Sequence, residues 1–198
     1  MIIAGIDEAG RGCCMGSMVV ACVALPKERQ AWLKARGVRD SKLLTPRRRK
    51  ELFDILLGEG TAFAVQFVTP MEIDRENLNH LHADCAVRLI GRMPADLYFL
   101  DAPVPPRGLR AYGTMLRTQT GRKVYPLNKA DVRIPVVAAA SIIAKVVRDR
   151  MIAYLKTAYG DFGSGYPSDP ATIAWLKSHD ALARRKRVLR EKWNLQTA

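Results

Sequence analysis

No Cys-x-x-Cys pair, no internal repeat and no low-complexity linker occurs in the 198 residues. The four cysteines are Cys13, Cys14, Cys22 and Cys85, three of them in or beside one apolar stretch. Reduced, partly buried thiols are expected there, rather than a zinc site or a disulfide scaffold. The apolar stretch from Cys13 to Leu25, which carries no charge, falls short of the roughly 20 apolar residues that span a bilayer. No basic segment precedes the first apolar run, so no signal peptide is expected. These absences point to a cytoplasmic protein without membrane attachment.

Acids are also scarce. Against 32 Lys and Arg stand 19 Asp and Glu, leaving a net charge of +13 and a pI near 10.0. That excess favours a polyanionic partner, nucleic acid first and an acidic membrane surface second. The length suits one domain with a substantial core. We therefore expect a single domain over 1–198, with a C-terminal helical part from about 167 packing on it.

The chain opens with Ile2-Ile3-Ala4-Gly5-Ile6-Asp7-Glu8-Ala9-Gly10-Arg11-Gly12. A short apolar run closed by glycines reads as a buried strand. Its two carboxylates are costly to bury unless something positive neutralises them. Strand alternation sends neighbours to opposite faces, so both can serve one site only if the strand ends or bulges there. Ser17 to Leu25 reads as its hairpin partner, and Pro26 as the opening of a short helix to about Arg36. Thr45-Pro46 is an N-cap and first-turn pair for a helix over 46–57. Its Arg47-Arg48-Arg49-Lys50 turn suits either a solvated face or phosphate contact.

A third strand is expected over 61–69, a helix from Pro70, and another over 77–92. In the last, His80 and His82 lie on different faces and do not form a metal pair. Leu97 to Leu100 is a fourth strand running straight into Asp101, which repeats the opening pattern. A weak helix near 109–119 and a strand at 123–126 follow. Asp131 then lies just upstream of the strongest helix, Pro135 to about Tyr159, with Lys145, Arg148, Asp149 and Arg150 on its polar side. A loop carrying an exposed Tyr166 leads to a helix from Pro170 to about Ser178. The basic segment 183–190 suits a charged surface, and Trp193 lies close to the end of the sequence.

Acids at the ends of two strands and at a helix start suggest an α/β sheet with carboxylates gathered at one edge. Hard oxygen donors of this kind bind Mg²⁺ or Mn²⁺. Two such ions can assist an in-line phosphoryl displacement. The spacing alone also suits a phosphatase or a structural ion-pair cluster.

The residues carry a resemblance as well. Gly5 to Gly12, then Asp40-Ser41-Lys42-Leu43-Leu44-Thr45, then Ala138-Ala139-Ala140-Ser141-Ile142-Ile143-Ala144-Lys145 with Arg148-Asp149 are similar to the motifs of ribonuclease HII. Gly163-Ser164-Gly165-Tyr166-Pro167 and Arg190-Glu191-Lys192-Trp193 also resemble it, in the compact form typical of archaeal members. The resemblance implies an RNase H-like fold, a mixed five-stranded sheet flanked by helices. It implies cleavage of the RNA strand of RNA–DNA hybrids and cutting 5′ to ribonucleotides embedded in duplex DNA, with two divalent metals, leaving 3′-hydroxyl and 5′-phosphate ends. It places the metal-binding, catalytic acids at Asp7, Glu8, Asp101 and Asp131, with Mg²⁺ or Mn²⁺ as cofactor. It assigns substrate contact to Gly10, Arg11, Gly12 and Tyr166, with Lys42, Lys145 and Arg148 as further candidates. One departure stands out: Cys13-Cys14-Met15-Gly16-Ser17 replaces the proline usual after the glycine, which bears on the rigidity of that loop. Two rivals remain, a non-catalytic basic nucleic-acid-binding module and another RNase H-like nuclease such as a junction resolvase. A monomer is expected, and no sliding-clamp motif is arguable from the sequence.

Overall fold

The computed structural model describes residues 1–39, 41 and 44–192. Asp40, Lys42 and Trp193, singled out above, lie outside the described residues. Five strands form one mixed sheet in the order β3-β2-β1-β4-β5. They are β1 (Ile2–Ala9), β2 (Met18–Pro26), β3 (Ala62–Val68), β4 (Leu97–Asp101) and β5 (Val124–Leu127). β1 pairs antiparallel with β2 and β2 with β3; β1 pairs parallel with β4 and β4 with β5. The helices are α1 (Arg29–Ala35), α2 (Pro46–Gly58), α3 (Pro70–Arg75), α4 (Leu78–Arg92), α5 (Leu109–Thr120), α6 (Ala130–Arg133), α7 (Pro135–Tyr159) and α8 (Pro170–Arg185). Among the described residues no helix is long and apolar enough to cross a membrane.

The two faces of the sheet carry separate cores, as alternation requires. On one, Ile3, Val19, Ala21 and Val23 pack with the buried residues of α7 and with Leu52, Phe53 and Leu56 of α2. On the other, Ala4, Ile6, Val20 and Cys22 pack with Leu81, Cys85 and Leu89 of α4 and Leu116 of α5. α7 lies across β1 so closely that a Cβ on Gly5 would overlap the Val136 carbonyl and the Val137 nitrogen. Backbone cannot yield as a flexible side chain does, so Gly5→Ala is an overpacking change costing about 1–3 kcal/mol or more. It should lower the melting temperature by roughly 5–10 °C in a chain of this size, measured by circular dichroism. An unchanged melt would mean that α7 is not seated on β1 in this way.

Several boundaries differ from expectation. Pro26 closes β2 and does not open a helix; α1 begins at Arg29. The short helix α6 was not foreseen, and α8 runs to Arg185 rather than Ser178. Arg148 was placed on the polar side of α7, yet it is 2% exposed. Arg190, read as part of a charged surface, is fully buried. Arg49 likewise turns inward, with Nη1 donating to the carbonyls of Ser41 (2.9 Å) and Leu44 (2.6 Å). All four cysteines are free and buried. Burial pushes the thiols of Cys14 and Cys85 up to about 11 and that of Cys22 up to about 12, which makes them poor nucleophiles and metal ligands.

Candidate active site

β1 does not bulge at its acids; it ends one residue past Glu8, at Ala9. Asp7 pairs with Ala21, Glu8 with Val20 and Ala9 with Val19 in unbroken register. The two carboxylates therefore leave opposite faces of the strand, close to its end. Asp7 points to α7, where Ser141 hydrogen-bonds its side chain. Glu8 points to α4, where its Oε2 lies 3.2 Å from His82 Nε2. What gathers the acids is the parallel neighbour. Ile6 is in register with Leu100, so Asp101 comes level with Asp7 at the end of β4. Asp101 Oδ1 in turn accepts from the backbone N–H of Ala130 at 2.8 Å. That bond ties the end of β4 to the first turn of α6, where Asp131 is buried.

The electrostatics match this crowding. Asp7 is 4% exposed, and its carboxyl is held well above the usual range, first by burial and then by the charges of Glu8 and Asp101. A buried acid with two carboxylates at its side lacks positive charge, and hard divalent cations supply it. Among the described residues no three His, Cys, Asp or Glu side chains enclose one ion as they stand. The donor set nevertheless fits Mg²⁺ or Mn²⁺: all-oxygen, anionic, and gathered from two adjacent strand ends and a neighbouring helix start.

A second group lies beside the acids. The loop after β1 carries Gly10, with φ +82°, and Gly12. A Cβ on Gly10 would meet Arg148 Nε at 2.5 Å and Cδ at 2.6 Å, and one on Gly12 would lie 3.9 Å from the Tyr166 ring. Arg148 runs under this loop, stacks its guanidinium 5.4 Å from the Tyr166 ring centre, and donates to the Ser164 carbonyl at 3.4 Å. Gly10, Gly12, Arg148 and Tyr166 thus form one cluster, with Lys145 lining the same cleft of about 260 Å³ as Arg148 and Tyr166. Burial, with the Cys13 thiol alongside, raises the Tyr166 phenol, so it stays a neutral ring and donor. Arg11 points elsewhere. Its guanidinium donates to Asn79 Oδ1 at 2.6 Å and to the Leu78 carbonyl, at the start of α4.

The loop's rigidity does not depend on a proline. Cys14 N and Met15 N both donate to the Gly165 carbonyl, Gly16 N donates to the Val188 carbonyl, and Arg190 N donates to the Cys14 carbonyl. Arg190 adds Nε to Gly16 O at 2.9 Å and Nη1 to Arg11 O at 3.0 Å. Sequence reasoning missed this buried arginine because a charge inside a basic run reads as surface. Its place in the closing Arg190-Glu191-Lys192-Trp193 motif was the available signal. Ser141 was missed too, although it stands in the Ala138-Ala139-Ala140-Ser141 motif: besides Asp7, its hydroxyl meets Ser41 Oγ at 2.9 Å, which ties the loop before α2 to the acid.

Asp169 holds the Tyr166 segment from below. It caps α8 through Ala171 N and accepts from both the backbone and the hydroxyl of Ser164. These bonds pull its carboxyl down to about 2. A depressed carboxylate stabilises the fold above its ordinary value of 3.8 and loses that contribution as pH falls towards about 2. Asp169→Ala should therefore lower the melting temperature by about 2–4 °C at pH 6. The gap to wild type should close near pH 2. A gap unchanged across that range would show that the carboxylate charge is not what holds the loop.

Acids ending two adjacent central strands of this sheet, beside a glycine loop and a stacked tyrosine, define a metal-dependent hydrolase of the ribonuclease H type. The chain belongs to the ribonuclease HII family, whose model matches residues 4–196. It is 48% identical to the ribonuclease HII of Pyrobaculum neutrophilum over 178 residues, 87% of this chain and 86% of that one. The RNase HII solved with PCNA from Archaeoglobus fulgidus superimposes with a TM-score of 0.90 at 38% identity, covering 100% of this chain and 98% of that one. Bst-RNase HIII in complex with Mn²⁺ superimposes with a TM-score of 0.76, covering 98% of this chain and 68% of that one. At 22% identity, that likeness concerns the fold alone.

Proposed function

We propose that this ribonuclease HII hydrolyses the RNA strand of RNA–DNA hybrids and cuts 5′ to ribonucleotides embedded in duplex DNA, leaving 3′-hydroxyl and 5′-phosphate ends. The observation that carries the reading is the level placement of Asp7 and Asp101 on adjacent parallel strands, with Glu8 next in chain. Asp7, Glu8, Asp101 and Asp131 would hold the divalent cations, Mg²⁺ or Mn²⁺. Bound there, the cations supply the positive charge that these acids lack and polarise the scissile phosphate.

The remaining roles belong to the chain itself. Ser141, the Glu8 N–H and the Ala130 N–H hold the carboxylates of Asp7 and Asp101 in place. The backbone at Gly10 and Gly12 can approach a minor groove, where the 2′-hydroxyl distinguishes RNA from DNA. Tyr166 offers its ring to the sugar or base beside that hydroxyl. Arg148 acts beneath the two elements, keeping them together, while Arg11, Lys42 and Lys145 contribute charge along the backbone of the duplex. We treat residues 1–198 as one catalytic domain, with the helical part from about 167 built onto it, working as a monomer in the cytoplasm. A contact with PCNA, named for the Archaeoglobus relative, is proposed for this protein as well.

The test is a gel assay on four substrates: a single-ribonucleotide duplex, an RNA–DNA hybrid, an all-DNA duplex and a four-way junction, each with Mg²⁺ or EDTA. Cutting of only the first two, and only with metal, is expected. Cleavage of the junction would favour a resolvase. Metal-independent binding without cleavage would leave only a basic binding module.

A further inference from the structure

His82 is fully buried on the apolar side of α4, one helical turn from Leu78 and Cys85, where a leucine would pack without polar cost. Its two nitrogens meet two named atoms. Nδ1 lies 2.7 Å from the hydroxyl of Tyr112 on α5, and Nε2 lies 3.2 Å from Glu8 Oε2. The second contact lacks the alignment of a hydrogen bond, and Nε2 has no other partner. A buried donor in that state calls for an explanation.

Only one neutral arrangement suits all three groups. Tyr112 donates its O–H to Nδ1, which leaves the proton on Nε2, directed at the carboxylate. The opposite tautomer would set a nitrogen lone pair against Glu8. Tyr112 is fitted to donate, because burial and the nearby Glu8 charge raise its phenol far above the ordinary value. We propose that His82, held as the Nε2–H tautomer by Tyr112, is a positioning residue that fixes Glu8 Oε2 and leaves the other carboxylate oxygen, Oε1, to the cation. The role rests on the assignment of Glu8 to the metal site. A small rotation of the Glu8 carboxylate would bring Oε2 into line with Nε2–H. Partners of this kind behind a ligating carboxylate tune metal affinity, typically by about 10–100-fold.

The test is calorimetric titration of the full-length chain with Mn²⁺, comparing wild type with Glu8→Gln, Tyr112→Phe, His82→Gln and the double variant His82→Leu/Tyr112→Phe. The double variant replaces the polar chain by apolar groups and should bind Mn²⁺ about 10–100-fold more weakly. Tyr112→Phe should weaken it about threefold or more, since Nδ1 is then no longer held as an acceptor. His82→Gln keeps a donor where Nε2 stood and should remain within about threefold of wild type. Turnover of the weakened variants should recover in excess Mn²⁺ with KM for the duplex unchanged, which a general packing defect would not do. Wild-type Mn²⁺ affinity in the double variant, with Glu8→Gln weakened, overturns the role of His82 and leaves Glu8 in the metal site. Wild-type affinity in Glu8→Gln overturns the assignment of Glu8 itself. Should the double variant not fold, undiminished affinity in Tyr112→Phe overturns the proposal alone.

Discussion

Asp101→Asn is expected to abolish hydrolysis of an RNA–DNA hybrid in Mg²⁺ while leaving the fold intact. The substitution keeps an acceptor for the Ala130 N–H but removes the charge that a cation would balance at the end of β4. Electrostatic assistance by a bound cation amounts to several kcal/mol in such displacements. At 1.36 kcal/mol per decade, that is a loss of about 10³-fold or more in kcat. Melting in EDTA should shift upward if at all, because one of the charges crowding Asp7 is gone. Undiminished cutting by Asp101→Asn would remove the strand-end acids from the chemistry.

Tyr166→Ala should separate substrates rather than silence the enzyme. A base or sugar stacked on an aromatic ring contributes about 1–3 kcal/mol. The expected loss is about 10²-fold on a duplex with one embedded ribonucleotide, within that range. On a continuous hybrid, where every position along the RNA strand carries a 2′-hydroxyl, the loss should stay under about tenfold. The ring is 37% exposed, with Arg148 stacked on it, so Tyr166→Phe, which retains the ring, should keep most of the activity on the single-ribonucleotide duplex. Equal losses on both substrates would argue that the ring packs the loop and does not read the junction.

Much of this site was legible before any tertiary contact was known. Asp7 and Asp101 each follow an apolar run that can only be a strand, and the cap-and-proline pairs Thr45-Pro46 and Asp169-Pro170 do start helices α2 and α8. Gly10 and Gly12 announced a place where the backbone must be bare, although the group that approaches Gly10 is a protein side chain, Arg148. Other features were misread for a shared reason. Arg148 and Arg190 stand among charged neighbours in the sequence and are buried in space, where carbonyls of distant segments receive them. His82 was dismissed because His80 could not join it; its partners come from β1 and α5, residues 8 and 112.

By itself the sequence indicated most of the elements and the family, and singled out the acids proposed for the site, since periodicity, capping and motif spacing are local properties of the chain. Only the tertiary structure decided which face each acid takes and what stands behind it. β1 runs straight through Asp7 and Glu8, so the two diverge to α7 and α4, and it is the parallel register with β4 that brings Asp101 level with Asp7. Register between strands some ninety residues apart is set by the packing of two cores on opposite sides of one sheet, and no local pattern encodes it.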